Sequence, residues 1–227
     1  MCGSPSMEPR MRLADYLDRV DVGGEVRPDL ATLRRLHRAH VEAIPYENLD
    51  VQLRRPVTRS ASDAFAKIVG RRRGGWCYEM NGLLSWALEE IGFSVTRLAG
   101  GVMRETAGDD VVGNHLVLIV DLDCDRWLCD AGFGDGLIEP VALREGPFRI
   151  GPLACALERI EGGWWRYRND PMGSAPSFDF HEDVGDERLL ESRCHFLQTD
   201  PASPFMQNLV VQRWTAGVHW SLRGRVL

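Results

Sequence analysis

The sequence predicts an α+β chain, helical over its first ninety-odd residues and strand-rich through its middle. Two observations carry this. Apolar residues recur at intervals of three and four as far as Ile91, and after Gly92 the apolar period changes to two. In addition, 44% hydrophobic residues in a chain of 227 fill a core of the size that one large domain, or two to three small subdomains, would share.

Taken in order, Leu13, Tyr16, Leu17 and Val20 give residues 11–20 a helical stripe. Residues 29–43 form a second helix, with Pro28 and Asp29 at its start and Leu30, Leu33, Leu36, His37, His40 and Val41 on one face; Pro45 stops it. Residues 44–50 read as a loop or short extended stretch, and 60–69 as a third helix with Ser62 as a cap. After the basic, glycine-rich turn 71–75, the residues Cys77, Met80, Leu84, Ala87 and Ile91 step along a fourth helix that Gly92 closes. Strands are expected at 94–101, 115–122, 127–131, 151–160 and 164–168, a turn-rich break at 171–176, and a helix within 182–199. Two more strands, 209–214 and 219–222, end the pattern.

Charge narrows the function classes. With 27 Lys+Arg against 33 Asp+Glu the net charge is −6, which leaves no electrostatic footprint for nucleic acid or an anionic membrane. Only one of those cations, Lys67, is a lysine, and the skew receives no functional weight. No apolar run approaches the roughly 18 residues of a membrane span, and the first residues lack a signal-peptide apolar segment, so a cytoplasmic protein is expected. The six cysteines (Cys2, Cys77, Cys124, Cys129, Cys155, Cys194) are scattered and read as free thiols. Cys124, Cys129, Cys194 and His195 lack a tight CxxC pair, and no metal is expected.

Cys77 is the thiol with a reactive setting. A helix N-terminus favours a thiolate through its free backbone N–H groups, Arg71, Arg72 and Arg73 lie nearby in sequence, and Gly74 and Gly75 let the backbone approach a ligand. Taken alone, a buried small hydrophobe explains Cys77 as well. His115 opens an apolar strand, and the neighbouring strand ends in Asp130. A tight turn over 121–124 would set His115 opposite Asp130, with Cβ atoms about 5 Å apart. A helix-start Cys, a strand His and a strand Asp are the nucleophile, base and orienting group of covalent catalysis.

The segments RGGWCYEMN (residues 73–81), IPYENLDV (44–51), the His115 strand and CDAGFG (129–134) together resemble the arylamine N-acetyltransferase family, in order and at matching separations from about Met11 to the end. The resemblance implies an N-terminal helical bundle with the nucleophile helix (1–92), a central antiparallel β-barrel (93–200) and the start of a C-terminal α/β lid (201–227), around a core like that of transglutaminases and papain-like cysteine enzymes. It implies acetyl-CoA as donor, a small arylamine or hydrazine as acceptor, and an acetyl-cysteine intermediate on Cys77, with His115 as base and Asp130 orienting it. Tyr46, Val102, Asn114, Gly132, Phe133 and Gly134 match substrate-pocket positions, and Glu47 with Arg73 a bidentate pair pinning the active-site turn. That pair makes Arg73 more important to stability than Arg71, Arg72 or Arg10. Asn81 is read as a partner for backbone groups.

Family members usually run several dozen residues past the stretch matching 203–224, so the resemblance implies a shortened lid and a thioester more open to water. Three other readings are carried: an amide synthase that closes a macrolactam from a carrier-bound acyl chain, a hydrolase of the cysteine-protease type, and a silent protein that binds CoA or aromatic ligands. The oligomeric state is not legible.

Overall fold

The computed structural model describes residues 11–227; Cys2 and Arg10 lie outside the described residues. Helix α1 (Leu13–Arg19) packs beside α2 (Leu30–Ala43), whose first turn is closed by Asp29 accepting from the Thr32 N–H at 2.7 Å. A two-residue strand β1 (Tyr46–Glu47) and a single helical turn α3 (Leu49–Gln52) follow Pro45. In α4 (Ala61–Phe65) the capping oxygen belongs to Ser60, which accepts from Asp63 N–H; the predicted cap Ser62 lies one residue inside the helix, where its hydroxyl only meets that of Ser60. The helix continues as a wider π turn over Ala66–Gly70.

Helix α5 (Cys77–Ile91) has the predicted bounds and ends on Gly92 in the left-handed region (φ 103°). Leu83, Leu84 and Leu88 on it have no exposure, and each such side chain contributes about 2 kcal/mol of apolar burial. Against this helix lies β3 (His115–Leu122), buried at seven of eight positions, with α5 packed on it and β2 (Ser94–Val102) and β4 (Asp125–Leu128) hydrogen-bonded at its two edges.

The sheet continues through β5 (Val141–Ala142) on one side and, on the other, through β9 (Ser177–Phe180), β8 (Trp165–Arg168), β7 (Leu153–Arg159) and β6 (Gly146–Ile150). The spatial order β5-β4-β3-β2-β9-β8-β7-β6 is a curled half-barrel of eight antiparallel strands. Three of these are absent from the sequence pattern: the two-residue β5, β6, and β9, which directly follows the 171–176 turn. Short helix α6 (Arg104–Ala107) leaves the end of β2. After the sheet come α7 (Glu187–Thr199), α8 (Pro204–Gln207) and the hairpin of β10 (Val210–Thr215) with β11 (Val218–Arg223).

The β3–β4 hairpin departs from its predicted register by two residues. Ile119 faces Leu128, Val120 faces Trp127 and Leu122 faces Asp125, so the loop is only Asp123–Cys124, with Asp123 at φ 54°. A two-residue loop suits the twist of an antiparallel pair better than the four-residue turn expected at 121–124. A slip of two keeps every side chain on its face, whereas a slip of one would have turned Asp130 away.

The tail hairpin returns to the start of the chain. Strand β10 pairs with β1, Tyr46 facing Gln212 and Glu47 facing Val211, and β1 is bridged on its other side to Gly75. The glycines of the 71–75 turn therefore serve this packing rather than a ligand: a Cβ on Gly74 would overlap the Pro45 carbonyl and come within 2.7 Å of Glu47 Cγ. Gly75 N–H donates to Pro45 O at 3.2 Å and Glu47 N–H to Gly75 O at 2.9 Å. Gly74→Ala is expected to lower stability by about 2 kcal/mol or more in thermal unfolding, while Gly70→Ala, whose Cβ would meet nothing within 4 Å, should stay near wild type.

Candidate active site

Cys77 is the first residue of α5 and is 3% exposed. Its Sγ lies 3.8 Å from the carbonyl of Asn114, the residue that precedes His115 on β3. Burial pushes the thiol well above its ordinary range, as do Cys194 and Asp130, while the backbone N–H groups of Tyr78 and Leu116 pull it down. The helix start therefore supplies the expected donor, but the arginines do not: Arg71 and Arg72 are exposed, and Arg73 is engaged with carboxylates. Desolvation outweighs these dipoles in the net direction of the shift.

His115 and Asp130 are each 1% exposed, with His115 Nε2 at 2.5 Å from Asp130 Oδ2. The register sets Asp130 beyond the end of β4, diagonal to His115 rather than opposite it, and the imidazole spans the extra distance. The second oxygen, Oδ1, accepts from Asn81 Nδ2 and from Gly132 N–H, both at 2.8 Å. Burial alone would raise the Asp130 pKa; His115, Asn81 and the Gly132 N–H together hold it below the usual carboxylate value. Asn81 also donates to Leu116 O at 2.6 Å and accepts from Ala131 N–H at 2.9 Å, so it fixes the carboxylate as well as backbone groups. Four residues after Cys77, it stands on the same helix face.

These side chains border a cavity of about 420 Å³. Cys77, His115, Tyr46, Val102, Asn114, Gly132 and Phe133 line it, whereas Asp130 sits behind His115 and Gly134 is set back under Gln212. Phe133 and Phe178 pack on the His115 ring with centroids 5.7 and 5.0 Å away. Asn114 clamps the end of β2: its Oδ1 accepts from Val102 N–H at 2.8 Å and its Nδ2 donates to Val102 O at 3.3 Å. Gly132 has no room for a side chain, since a Cβ would stand 2.9 Å from Cys77 O.

A buried cysteine at a helix start, a hydrogen-bonded His–Asp pair and a cavity now lie together on a helix-plus-half-barrel frame. A sequence model described as N-acetyltransferase matches residues 29–227. The arylamine N-acetyltransferase of Mycolicibacterium smegmatis is 37% identical over 234 aligned positions, which cover 96% of this chain and 82% of that protein. The chain belongs to the arylamine N-acetyltransferase family. It is thus an enzyme of the acyltransferase class. The solved structure of Mycobacterium marinum arylamine N-acetyltransferase in complex with CoA superposes with a TM-score of 0.85 at 31% identity, covering 93% of this chain and 80% of that one. Proansamycin X synthase of Amycolatopsis mediterranei is 40% identical over 134 positions, about half of each protein (56% and 51%).

Beneath the Cys77 turn this acetyltransferase carries a buried charge cluster. Arg73 Nη2 meets Glu47 Oε1 at 2.9 Å and Nη1 meets Asp50 Oδ1 at 3.3 Å, so the guanidinium fork is split between two carboxylates and is not bidentate on Glu47. The reason is local: Glu47 Oε2 already accepts the Leu49 N–H at 2.6 Å. Lys67, the chain's single lysine, is 4% exposed and lies 2.9 Å from both Asp50 Oδ2 and Glu79 Oε2. Glu79 Oε2 also accepts from Trp76 N–H at 3.3 Å, on the residue preceding Cys77. From α1, Arg19 Nε donates to Ile68 O at 2.9 Å, Nη1 to Ala43 O at 3.1 Å and Nη2 to Arg73 O at 3.4 Å. Sequence reading passed over both Lys67 and Arg19; the available signal was a cation falling on the buried face of each helix. Among the described residues no three His, Cys, Asp or Glu groups converge on a metal position.

Two outcomes follow from the cluster. Arg73→Leu leaves Glu47 and Asp50 each short of a partner and should lower the melting temperature well below that of Arg71→Leu, by the equivalent of about 2 kcal/mol. Burial raises Glu79 to about 7, with Lys67 and the Trp76 N–H opposing. The folded chain thus keeps a proton that the unfolded chain releases near pH 4.5, so stability from this group declines as pH rises from there to 7. Glu79→Gln should flatten that decline in unfolding measurements across the same interval.

Proposed function

We propose that the chain transfers an acetyl group from acetyl-CoA to arylamines or arylhydrazines by a ping-pong route through acetyl-Cys77, with His115 as the base and Asp130 orienting it. The observation that carries this is the His115–Asp130 pair and the Cys77 thiol meeting at one cavity wall. CoA bound to the M. marinum relative supports the donor.

With Nε2 committed to Asp130, Nδ1 is the imidazole nitrogen left for the thiol proton. His115 takes the Cys77 thiol proton as the sulfur becomes the nucleophile, and Asp130 stabilises the imidazolium. Sulfur attacks the acetyl carbonyl, the bond to CoA sulfur breaks, and the CoA thiolate leaves with the proton from His115. The acceptor amine then attacks acetyl-Cys77, its proton passes to His115, and the Cys77 thiolate that departs recovers it. The N–H groups of Tyr78 and Leu116 support the cysteine sulfur whenever it is anionic.

The amide-synthase reading draws on the likeness to proansamycin X synthase. The cavity of about 420 Å³ favours acetyl transfer to a small amine, since it suits an acetyl group with a one- or two-ring acceptor better than a folded-back macrolactam precursor. A silent binding protein is separated by intact mass, since only an acyltransferase gains an acetyl group from acetyl-CoA.

Cys77→Ala should abolish both the acetyl mass gain and arylamine-dependent CoA release, and His115→Ala should nearly do so. Asp130→Asn should keep the fold, since Asn81 and Gly132 still bind its side chain, yet lower kcat by about 10²- to 10⁴-fold because an amide holds the wrong imidazole tautomer. Normal CoA release by Cys77→Ala, or normal turnover by Asp130→Asn, would refute these roles.

A further inference from the structure

The tail hairpin brings a polar strip to the cavity that the triad does not use. Gln212 in β10 faces Tyr46 in β1 and Ser221 in β11, and directly opposed residues share a face of the sheet, so all three side chains line the cavity at one level. Gln212 is 3% exposed, a costly place for an amide unless it is hydrogen-bonded. Its only side-chain hydrogen bond among the described residues is a long one, from Nε2 to Ser174 Oγ at 3.4 Å. Its Oε1 lies where a side chain on residue 134 would begin, and Gly134 leaves the room.

Ser174 is itself held in place. Its N–H donates to the buried Asp135 carboxylate, which also accepts from Asn169 Nδ2 at 3.2 Å. Ser174, Gln212 and Ser221 therefore make one polar strip in a lining that also holds the apolar Val102, Phe133 and Phe205. One step along the hairpin, Val210 and Arg223 carry the lining to an exposed guanidinium.

Resting on the acyl-transfer reading of this cavity, we propose that Gln212, with Ser174 and Ser221 beside it, is a specificity subsite for an uncharged hydrogen-bonding group on the acceptor, such as a ring carboxamide. A carboxamide completes both the donor and the acceptor of the Gln212 amide. A carboxylate offers no donor to Oε1 and approaches the buried Asp135 charge behind Ser174. An apolar substituent leaves the amide unpaired in a desolvated site.

The test compares kcat/KM for 4-aminobenzamide and 4-methylaniline in wild type and variants, and reads the change in their ratio, because the two amines differ in intrinsic reactivity. Gln212→Leu should lower the carboxamide-to-methyl ratio about tenfold. Ser174→Ala and Ser221→Ala should each lower it about two- to threefold, and they carry the test if the leucine variant does not fold. A ratio unchanged in the folded variants overturns the proposal. So does a 4-aminobenzamide-to-4-aminobenzoate ratio that Gln212→Leu leaves unchanged and Arg223→Gln raises, which would trace recognition to the guanidinium. Wild-type protein that gains no acetyl group from acetyl-CoA would refute the acyl-transfer reading itself. Normal acetylation with an unchanged ratio refutes the subsite alone.

Discussion

A carboxylate with 1% exposure has to find its hydrogen-bond donors inside the protein, and Asp130 draws them from three places. His115 comes from β3, Asn81 from α5 and the Gly132 N–H from the loop after β4. The two side-chain donors are in turn held elsewhere: Asn81 by Leu116 and Ala131, His115 by the aromatic rings of Phe133 and Phe178. Helix, sheet and loop are thereby locked in one relative position, because leaving any of these buried groups unpaired costs more than the bond contributes when formed. The thiol at the helix start inherits its place from that lock.

The charge cluster under the Cys77 turn does for the helix start what Asp130 does for the sheet side. Two cations, Lys67 and Arg73, face three carboxylates, Glu47, Asp50 and Glu79, and three of these five side chains, Lys67, Glu47 and Glu79, are deeply buried. An excess carboxylate in so little water keeps its proton to an unusually high pH, and the group that does so is Glu79, hydrogen-bonded to the backbone just before Cys77. Such a cluster contributes less to net stability than to uniqueness of geometry, since each member constrains the others. Arg19 completes the arrangement from a third helix by taking three backbone carbonyls rather than a carboxylate.

The cavity, by contrast, is assembled from distant parts of the chain. Tyr46, Cys77, His115 and Phe133 come from the first two thirds, while Phe205, Val210, Gln212 and Ser221 come from the tail, brought in by pairing of β10 with β1. Glycines make this possible at two levels, Gly74 under the β1 strand and Gly134 under Gln212.

What the sequence determined by itself is what depends on local periodicity and on short motifs. The bounds of α5 and β3, the cap at Gly92, and the candidate status of Cys77, His115 and Asp130 all follow from spacing and side-chain chemistry within single elements. Only the tertiary structure decided how those elements meet. The hairpin register slipped by two because a two-residue loop competes with a four-residue one on backbone twist, which composition does not encode. The Arg73 fork split because a backbone N–H had already taken one Glu47 oxygen. The single lysine became a buried partner of two carboxylates and Gln212 became a cavity residue, since charge pairing between separate elements, and strand pairing across more than a hundred residues, leave no mark in the periodicity of a single element.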